Sequence, residues 1–186
     1  MKFRTDRLLI CPLSIDYLNE VHQLHSSPEV DRYNTLGIPA SIESTKSLML
    51  EWLQAQEALP PTNYVFCIKL IENNEFAGLI GLKIGKPAYR TAELWYKIDP
   101  PHWRKGYASE AVAEILKFAF SKLKLHRVEA GCAVDNTSSI RVLEKAGMIA
   151  EGRKREILPV RGKWLDNFFY AMLESDYEKL KGSSTS

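Results

Sequence analysis

Between residues 90 and 123 the hydrophobic pattern of this chain changes period once, and the change brackets a short loop rich in Pro, Gly and basic residues. Over residues 90–98 the pattern alternates: Leu94, Tyr96 and Ile98 share one face of a strand, Glu93, Trp95 and Lys97 the other. Pro100-Pro101 stops that strand. Beyond Gly106 the residues Ala108, Val112, Ile115, Leu116, Ala119, Phe120 and Leu123 recur at helical spacing and form one apolar stripe. A strand that passes through a short loop into an amphipathic helix restricts the chain to a sheet covered by helices.

The flanking segments extend this layout. Residues 7–13 read as a strand, and Ser14 caps a helix with Leu18, Val21, His22 and Leu24 near one face. A loop at 28–39 leads to a second helix over 41–57, with Leu48, Trp52 and Leu53 inward. Residues 64–71 and 76–84 flank Asn73-Asn74 as a hairpin, and 90–98 is its third strand. After the central helix come a strand at 126–134, a short helix at 136–146 with Ile140 and Leu143 inward, and a hairpin of 148–158 with 164–173 about Arg161-Gly162. The order β-α-α-β-β-β-α-β-α-β-β predicts an α/β fold, a mixed, mostly antiparallel sheet with flanking helices, in which the central helix joins parallel strands right-handedly.

One domain over residues 1–181 accounts for the length, and residues 182–186 are expected to form a disordered tail. With 45% hydrophobic and 26% charged residues, the composition is neither disordered nor membrane-spanning. A net charge of +2 makes no case for nucleic acid, although a binder built on Arg104, Lys105, Arg153, Lys154 and Arg155 stays open. The apolar run at 8–11 is too short for a signal peptide or a span. Cys11, Cys67 and Cys132 form no closely spaced pair and read as buried thiols, so the expectation is a soluble cytoplasmic protein away from membranes. His22 and His25 have helical spacing but no evident third ligand, so no metal is expected.

The chemistry concentrates between Ile98 and Ser109. Where a strand feeds a loop and then a helix, successive N–H groups point into one concavity, and the helix start adds partial positive charge. Gly106 lets a ligand approach the backbone, Ala108 and Ser109 keep the next positions small, and Arg104 and Lys105 add two cations. This describes a site for a pyrophosphate; a plain helix start with solvated basic residues remains the other reading. Neither a Walker phosphate loop nor a Gly-x-Gly-x-x-Gly fingerprint is present. Residues 135–139, Asp-Asn-Thr-Ser-Ser, end a strand and open a second helix, where Asn136 can serve as cap or as ligand contact. Two strand ends that splay apart could hold an extended ligand with an anionic end between them.

Taken in order, these residues resemble the GNAT superfamily of N-acetyltransferases, in its branch related to the ribosomal-protein N-terminal (Rim-type) enzymes. The resemblance runs from Thr5-Asp6-Arg7-Leu8-Leu9 through the segments 92–100 and 103–111. It continues over Asn136 to Ser139, Glu144 to Met148, Glu151-Gly152, Arg155 and Gly162 to Asp166, near Tyr170. It implies acetyl-CoA as cosubstrate, with its pyrophosphate on the loop of Trp103, Arg104, Lys105, Gly106, Tyr107 and Ala108, and Ser109 beside it. The strand end at Tyr96 and Ile98 would pair with the pantetheine arm, Asn136 and Ser139 would contact the cofactor, and Ser139 would lie closest to the thiol. The chain departs from the family pattern at Trp103, where Gln or Arg is frequent, and at Arg104, where Gly is frequent and a negative φ is the easy accommodation. Leu143 falls where many members carry a general-acid tyrosine, and Leu158 where some Rim-type enzymes carry a glutamate.

An amine attacks a thioester only when neutral, and free alkyl amines have a pKa near ~10. Glu93, on the strand leading to the loop, is the candidate base, directly or through water; an exposed strand carboxylate is the plain alternative. Ser139 or Tyr170 could protonate the thiolate, and a backbone N–H between Tyr96 and Ile98 could stabilise the oxyanion. Attack is expected to be direct, in a ternary complex. The acceptor would be a protein or peptide N-terminus, a polyamine or an amino-sugar, and the protein a monomer or homodimer. A non-catalytic acyl-CoA sensor or docking module fits the same cofactor residues.

Overall fold

The structure is a computed structural model that describes residues 1–183. Its strands are β1 (Phe3–Arg4), β2 (Leu8–Pro12), β3 (Asn63–Leu70), β4 (Phe76–Ile84), β5 (Thr91–Ile98), β6 (Arg127–Ala133), β7 (Ile149–Val160) and β8 (Lys163–Leu173). The helices are α1 (Leu18–Ser26), α2 (Pro28–Asp31), α3 (Ile42–Glu57), α4 (Tyr107–Ser121), α5 (Thr137–Lys145) and α6 (Glu174–Ser183). All eight strands join one sheet in the order β1-β2-β3-β4-β5-β6-β8-β7. Among the described residues only β5 and β6 run parallel, and α4 makes the crossover between them. The mixed, mostly antiparallel α/β architecture is therefore the one the periodicities predict.

Two cores lie on opposite faces of the sheet. Val112, Ile115, Leu116, Phe118 and Phe120 of α4 pack with Leu94 and Ile98 of β5 and with Leu143 of α5. Met49 of α3 and Val21 and Leu24 of α1 pack with Val65, Cys67 and Leu79 on the other face, where Trp95 and Trp52 meet at 5.3 Å. The strand alternation of β5 thus divides its side chains between the two cores. Cys11, Cys67 and Cys132 are buried free thiols. Among the described residues no helix is long and apolar enough to cross a membrane, and no group of three or more metal-ligating side chains gathers.

Several elements differ from the sequence reading. β1 exists because Phe3 packs against Phe66 and Phe118, at 5.4 and 5.1 Å. The expected loop at 28–39 opens with α2, a single turn with Pro28 at its start and Ser27 capping the Val30 N–H at 3.4 Å. The tail expected to be disordered is partly helical: α6 includes Gly182 and Ser183, and residues 184–186 lie outside the described residues. Tyr177 of α6 stacks on Phe120 at 5.1 Å, a tertiary contact that holds a helix with no clear apolar period.

Candidate active site

The site begins where β5 and β6 part. Their pairing runs Thr91↔Arg127, Ala92↔Val128 and Glu93↔Glu129 and then stops, while β6 stays paired with β8 as far as Ala133↔Asn167. The Asp99 N–H donates to the Ala77 carbonyl and the Gly85 N–H to the Thr91 carbonyl, so the odd-numbered backbone groups of β5 face β4. Alternation turns the N–H and C=O groups of Leu94, Tyr96 and Ile98 into the gap on the β6 side. This is a strand edge with one neighbour missing, and an extended amide-bearing chain is what such an edge accepts.

At the open end of the gap lies the basic loop. The Trp103 indole N–H donates to the Ile98 carbonyl at 2.6 Å, folding the loop back on the strand end. Arg104 and Gly106 both sit in the left-handed region, at φ 61° and 83°. The easy accommodation of a Cβ at Arg104, a negative φ, is not the one adopted: closing the turn into α4 places a left-handed residue there, at a cost on the order of 1 kcal/mol for a side chain with a Cβ. Arg104, Lys105 and Gly106 are exposed, and Tyr107, Ala108 and Ser109 form the first turn of α4. Its first N–H groups and these cations surround the concavity that suits a pyrophosphate.

The loop is held from behind by residues whose role the sequence did not disclose. Arg7 donates through Nη1 to the Lys105 carbonyl at 2.8 Å and through Nε to Glu110 at 2.7 Å, and its guanidinium lies 4.9 Å from the Tyr107 ring centre. The Thr5 hydroxyl and the Arg7 N–H donate to the same Glu110 carboxylate, at 2.6 and 2.9 Å. These hydrogen bonds keep Glu110 below the usual carboxylate range against the opposing pull of burial. With Arg7 matching its charge, the first turn of α4 carries a carboxylate that does not repel an incoming anion.

On the α4–α5 face, Tyr96 bridges the gap. Its hydroxyl shares a 2.8 Å hydrogen bond with Ser139 Oγ, and burial pushes its pKa up, so it stays protonated. Asn136 caps α5 by accepting from the Ser139 N–H at 3.2 Å, which is the structural one of its two expected roles. Cys132 lies beside them, and burial pushes its thiol up to about 11, which leaves it unreactive at neutral pH. Tyr170 is 4% exposed, and its hydroxyl donates to Glu144 at 3.3 Å. Leu143 is buried in the core, as an apolar residue at that place must be.

On the opposite face Glu93 is exposed, at the vertex of the gap, with Lys83 and Glu129 as its cross-strand neighbours. Further along that face, Lys97 lies within electrostatic reach of His25 of α1 and Asp31 of α2, without a hydrogen bond or ion pair to either. Asp31 is 2% exposed and accepts from Arg161 Nε at 2.9 Å; Arg161 also donates to the Pro28 carbonyl at 3.0 Å. Burial lowers His25 to about 3 and Lys97 to about 8, the latter against the attraction of Asp31. This cluster was not found in the sequence; a Lys on the same strand face as Trp95 was its one visible sign. Arg155 and Asp166 do not pair, because Arg153 takes Asp166. Trp164 is 63% exposed near the hairpin turn.

Comparison with known proteins agrees with this geometry. Residues 7–149 match the model of the acetyltransferase (GNAT) domain. The uncharacterized N-acetyltransferase YoaA of Bacillus subtilis (strain 168) is 30% identical over 91% of this chain and 95% of its own length. A GNAT-family acetyltransferase from Bacillus anthracis shares 32% identity with a TM-score of 0.81, covering 94% of this chain and 99% of that one. Spermidine N-acetyltransferase from Vibrio cholerae, solved in complex with CoA and spermine, has the same fold at 22% identity, with a TM-score of 0.83 over 94% of this chain and 99% of that one. The chain therefore belongs to the GNAT family of acetyl-CoA-dependent N-acetyltransferases.

Proposed function

We propose that the protein acetylates a primary amine by direct attack in a ternary complex, and that the parting of β5 from β6 beside the basic loop is the observation that carries this reading. The pantetheine arm adds to the free edge of β5 at Tyr96 and Ile98, and the pyrophosphate rests on the loop from Trp103 to Ala108 and on Ser109; Asn136 and Ser139 contact the cofactor from the α5 side, Ser139 nearest the thiol. The amine nitrogen attacks the thioester carbon, a β5 N–H receives the oxyanion, the C–S bond breaks, and the thiolate leaves. Glu93 takes the amine proton through water. Ser139, backed by the protonated Tyr96, supplies the proton to sulfur; a thiol pKa near ~8.5 makes this help modest at neutral pH. Tyr170 supports α5 through Glu144 rather than donating itself. Cys132, a neutral buried thiol, gives no reason to invoke an acyl-enzyme. With three buried free thiols, a reducing cytoplasmic setting suits the chain.

The test is CoA release from acetyl-CoA with peptides, polyamines and amino-sugars, followed by mass spectrometry of the acetylated amine, for the wild type and Glu93→Gln. Glu93→Gln should lower turnover ~10-fold or more at pH 7 and much less at pH 9.5, where the amine deprotonates unaided. Equal losses at both pH values would remove Glu93 as base. Tight acetyl-CoA binding with no acetylated product from any amine would overturn the transfer reading.

A further inference from the structure

Three polar atoms on the acceptor side of β5 are buried without a hydrogen-bond partner among the described residues: His25 Nε2, Asp31 Oδ1 and Lys97 Nζ. His25 and Asp31 are 3% and 2% exposed, and they come from different helices onto one strand face. The cluster adjoins the stretch of β5 that has parted from β6, since Lys97 lies between Tyr96 and Ile98. Trp52 and Trp95 wall the same face, and Trp52 also meets the His25 ring at 5.9 Å. Its outer cover is the turn of the β7–β8 hairpin, tied to α2 through Arg161, which is half-exposed.

The charges in this cluster do not balance. Asp31 is the one carboxylate, and Arg161 already donates to its Oδ2. His25 is neutral at pH 7, since burial and the nearby Lys97 hold its pKa at about 3. Lys97, lowered to about 8, is still mainly protonated at pH 7. The cluster therefore carries one positive charge in excess, on an ammonium with three donors and no acceptor in place. A buried charge without a partner costs several kcal/mol in order of magnitude, so such a group at a cleft marks a binding function better than a structural one.

We propose that Lys97 is a specificity-determining residue that binds a carboxylate of the acceptor, so that the preferred substrates are amines bearing a carboxylate close by, of the α-amino acid type. This deepens the transferase reading above and rests on it. Asp31 Oδ1 offers the complementary acceptor for an N–H of the same molecule, and His25 Nε2 a second polar contact for its carboxylate. The pair suits a zwitterion. A polyamine brings further positive charge to a site already in excess, which a cluster built this way rejects.

The experiment compares α-amino acids with their carboxamides and with spermidine, by kcat/KM for acetyl transfer and by Kd for the CoA-bound enzyme. The amide's amine is the less basic of each pair and would on that ground react faster, so a preference for the acid reports the carboxylate. The acid is expected to be favoured ~10-fold or more, the size of one charge-assisted hydrogen bond. Lys97→Met should abolish that preference with the Kd for acetyl-CoA unchanged, and Lys97→Arg should retain it. Equal use of acid and amide, a preference for spermidine, or an undiminished acid preference in Lys97→Met would overturn the assignment. Should none of these amines be acetylated, the binding arm still decides: tighter acid than amide supports Lys97 and removes these compounds as acceptors, whereas equal binding overturns Lys97.

Discussion

The two faces of β5 treat polar groups differently. Toward α4 and α5, Tyr96 bonds Ser139, Asn136 caps the Ser139 N–H, Tyr170 reaches Glu144, and Trp103 closes on Ile98. Toward α1 and α2, His25, Asp31 and Lys97 each keep a buried polar atom unmatched. The first face ties most of its polar groups among its own residues, although the buried His102 beside Tyr107 keeps its ring nitrogens without a hydrogen bond, whereas the second leaves three such atoms to the proposed ligand. A cosubstrate common to a family can be met by a finished surface. An acceptor that differs between members is met by charges added to one strand from several loops and helices.

The strongest way to break this contrast is at the finished face. Gly106 sits at φ 83°, and an added Cβ would meet only the tip of the Arg7 side chain, at 3.3 Å. The cost of Gly106→Val is therefore backbone strain rather than lost space, on the order of 1–3 kcal/mol for a branched residue held left-handed. Relief requires a change of φ, which turns the first N–H groups of α4 away from the concavity. Acetyl-CoA affinity should fall roughly 10–100-fold by calorimetry. Unchanged affinity would mean that the loop does not carry the pyrophosphate.

The second face should show its character in acid. His25 has a folded pKa of about 3 against an ordinary 6.5, so the unfolded chain binds the extra proton between those values. Its pKa is depressed, hence the contribution is intact above pH 6.5 and is lost as pH falls from there toward 3. Lys97 and His22 oppose the proton as burial does. Between pH 7.5 and 5 the wild type should lose about 2 kcal/mol through this group alone. His25→Phe keeps a ring beside Trp52 and should lose that much less over the same range, read from urea melts at both pH values. Identical losses would show that His25 takes up its proton without cost, and the cluster would then be an open, solvated one.

What could be read from the chain follows the same division. The strand at Thr91–Ile98, the stop at Pro100-Pro101 and the helix after Gly106 obey local rules, so this stretch of the fold was legible before any tertiary contact was known. The conformation of Arg104 was not legible, because loop closure, not its own preference, sets its φ of 61°. Thr5 and Arg7 joined Glu110 across more than 100 positions, and no periodicity reports such a pair. α2 is one turn long, too short to show a helical period, yet it supplies Asp31. Lys97 was assigned to the right strand face, but His25, Asp31 and Arg161, which give it meaning, arrive from three other elements.

The smallest expected effect sharpens the comparison most finely. Tyr96→Phe removes the 2.8 Å bond to Ser139 Oγ but leaves the ring in place and the Asn136 cap on the Ser139 N–H intact. Ser139 is half-buried, so water can replace part of what is lost, and stability should fall by only ~1 kcal/mol. Turnover should fall slightly at pH 7 and not at pH 9.5, since a thiolate with an ordinary pKa near ~8.5 needs no proton there. A loss several times larger in stability would mean that Tyr96 holds β5 and α5 at their separation, making the hydroxyl a strut of the cleft. A large loss in turnover alone would instead mean that the proton Ser139 gives to sulfur depends on the Tyr96 hydroxyl and that this help is not modest at neutral pH.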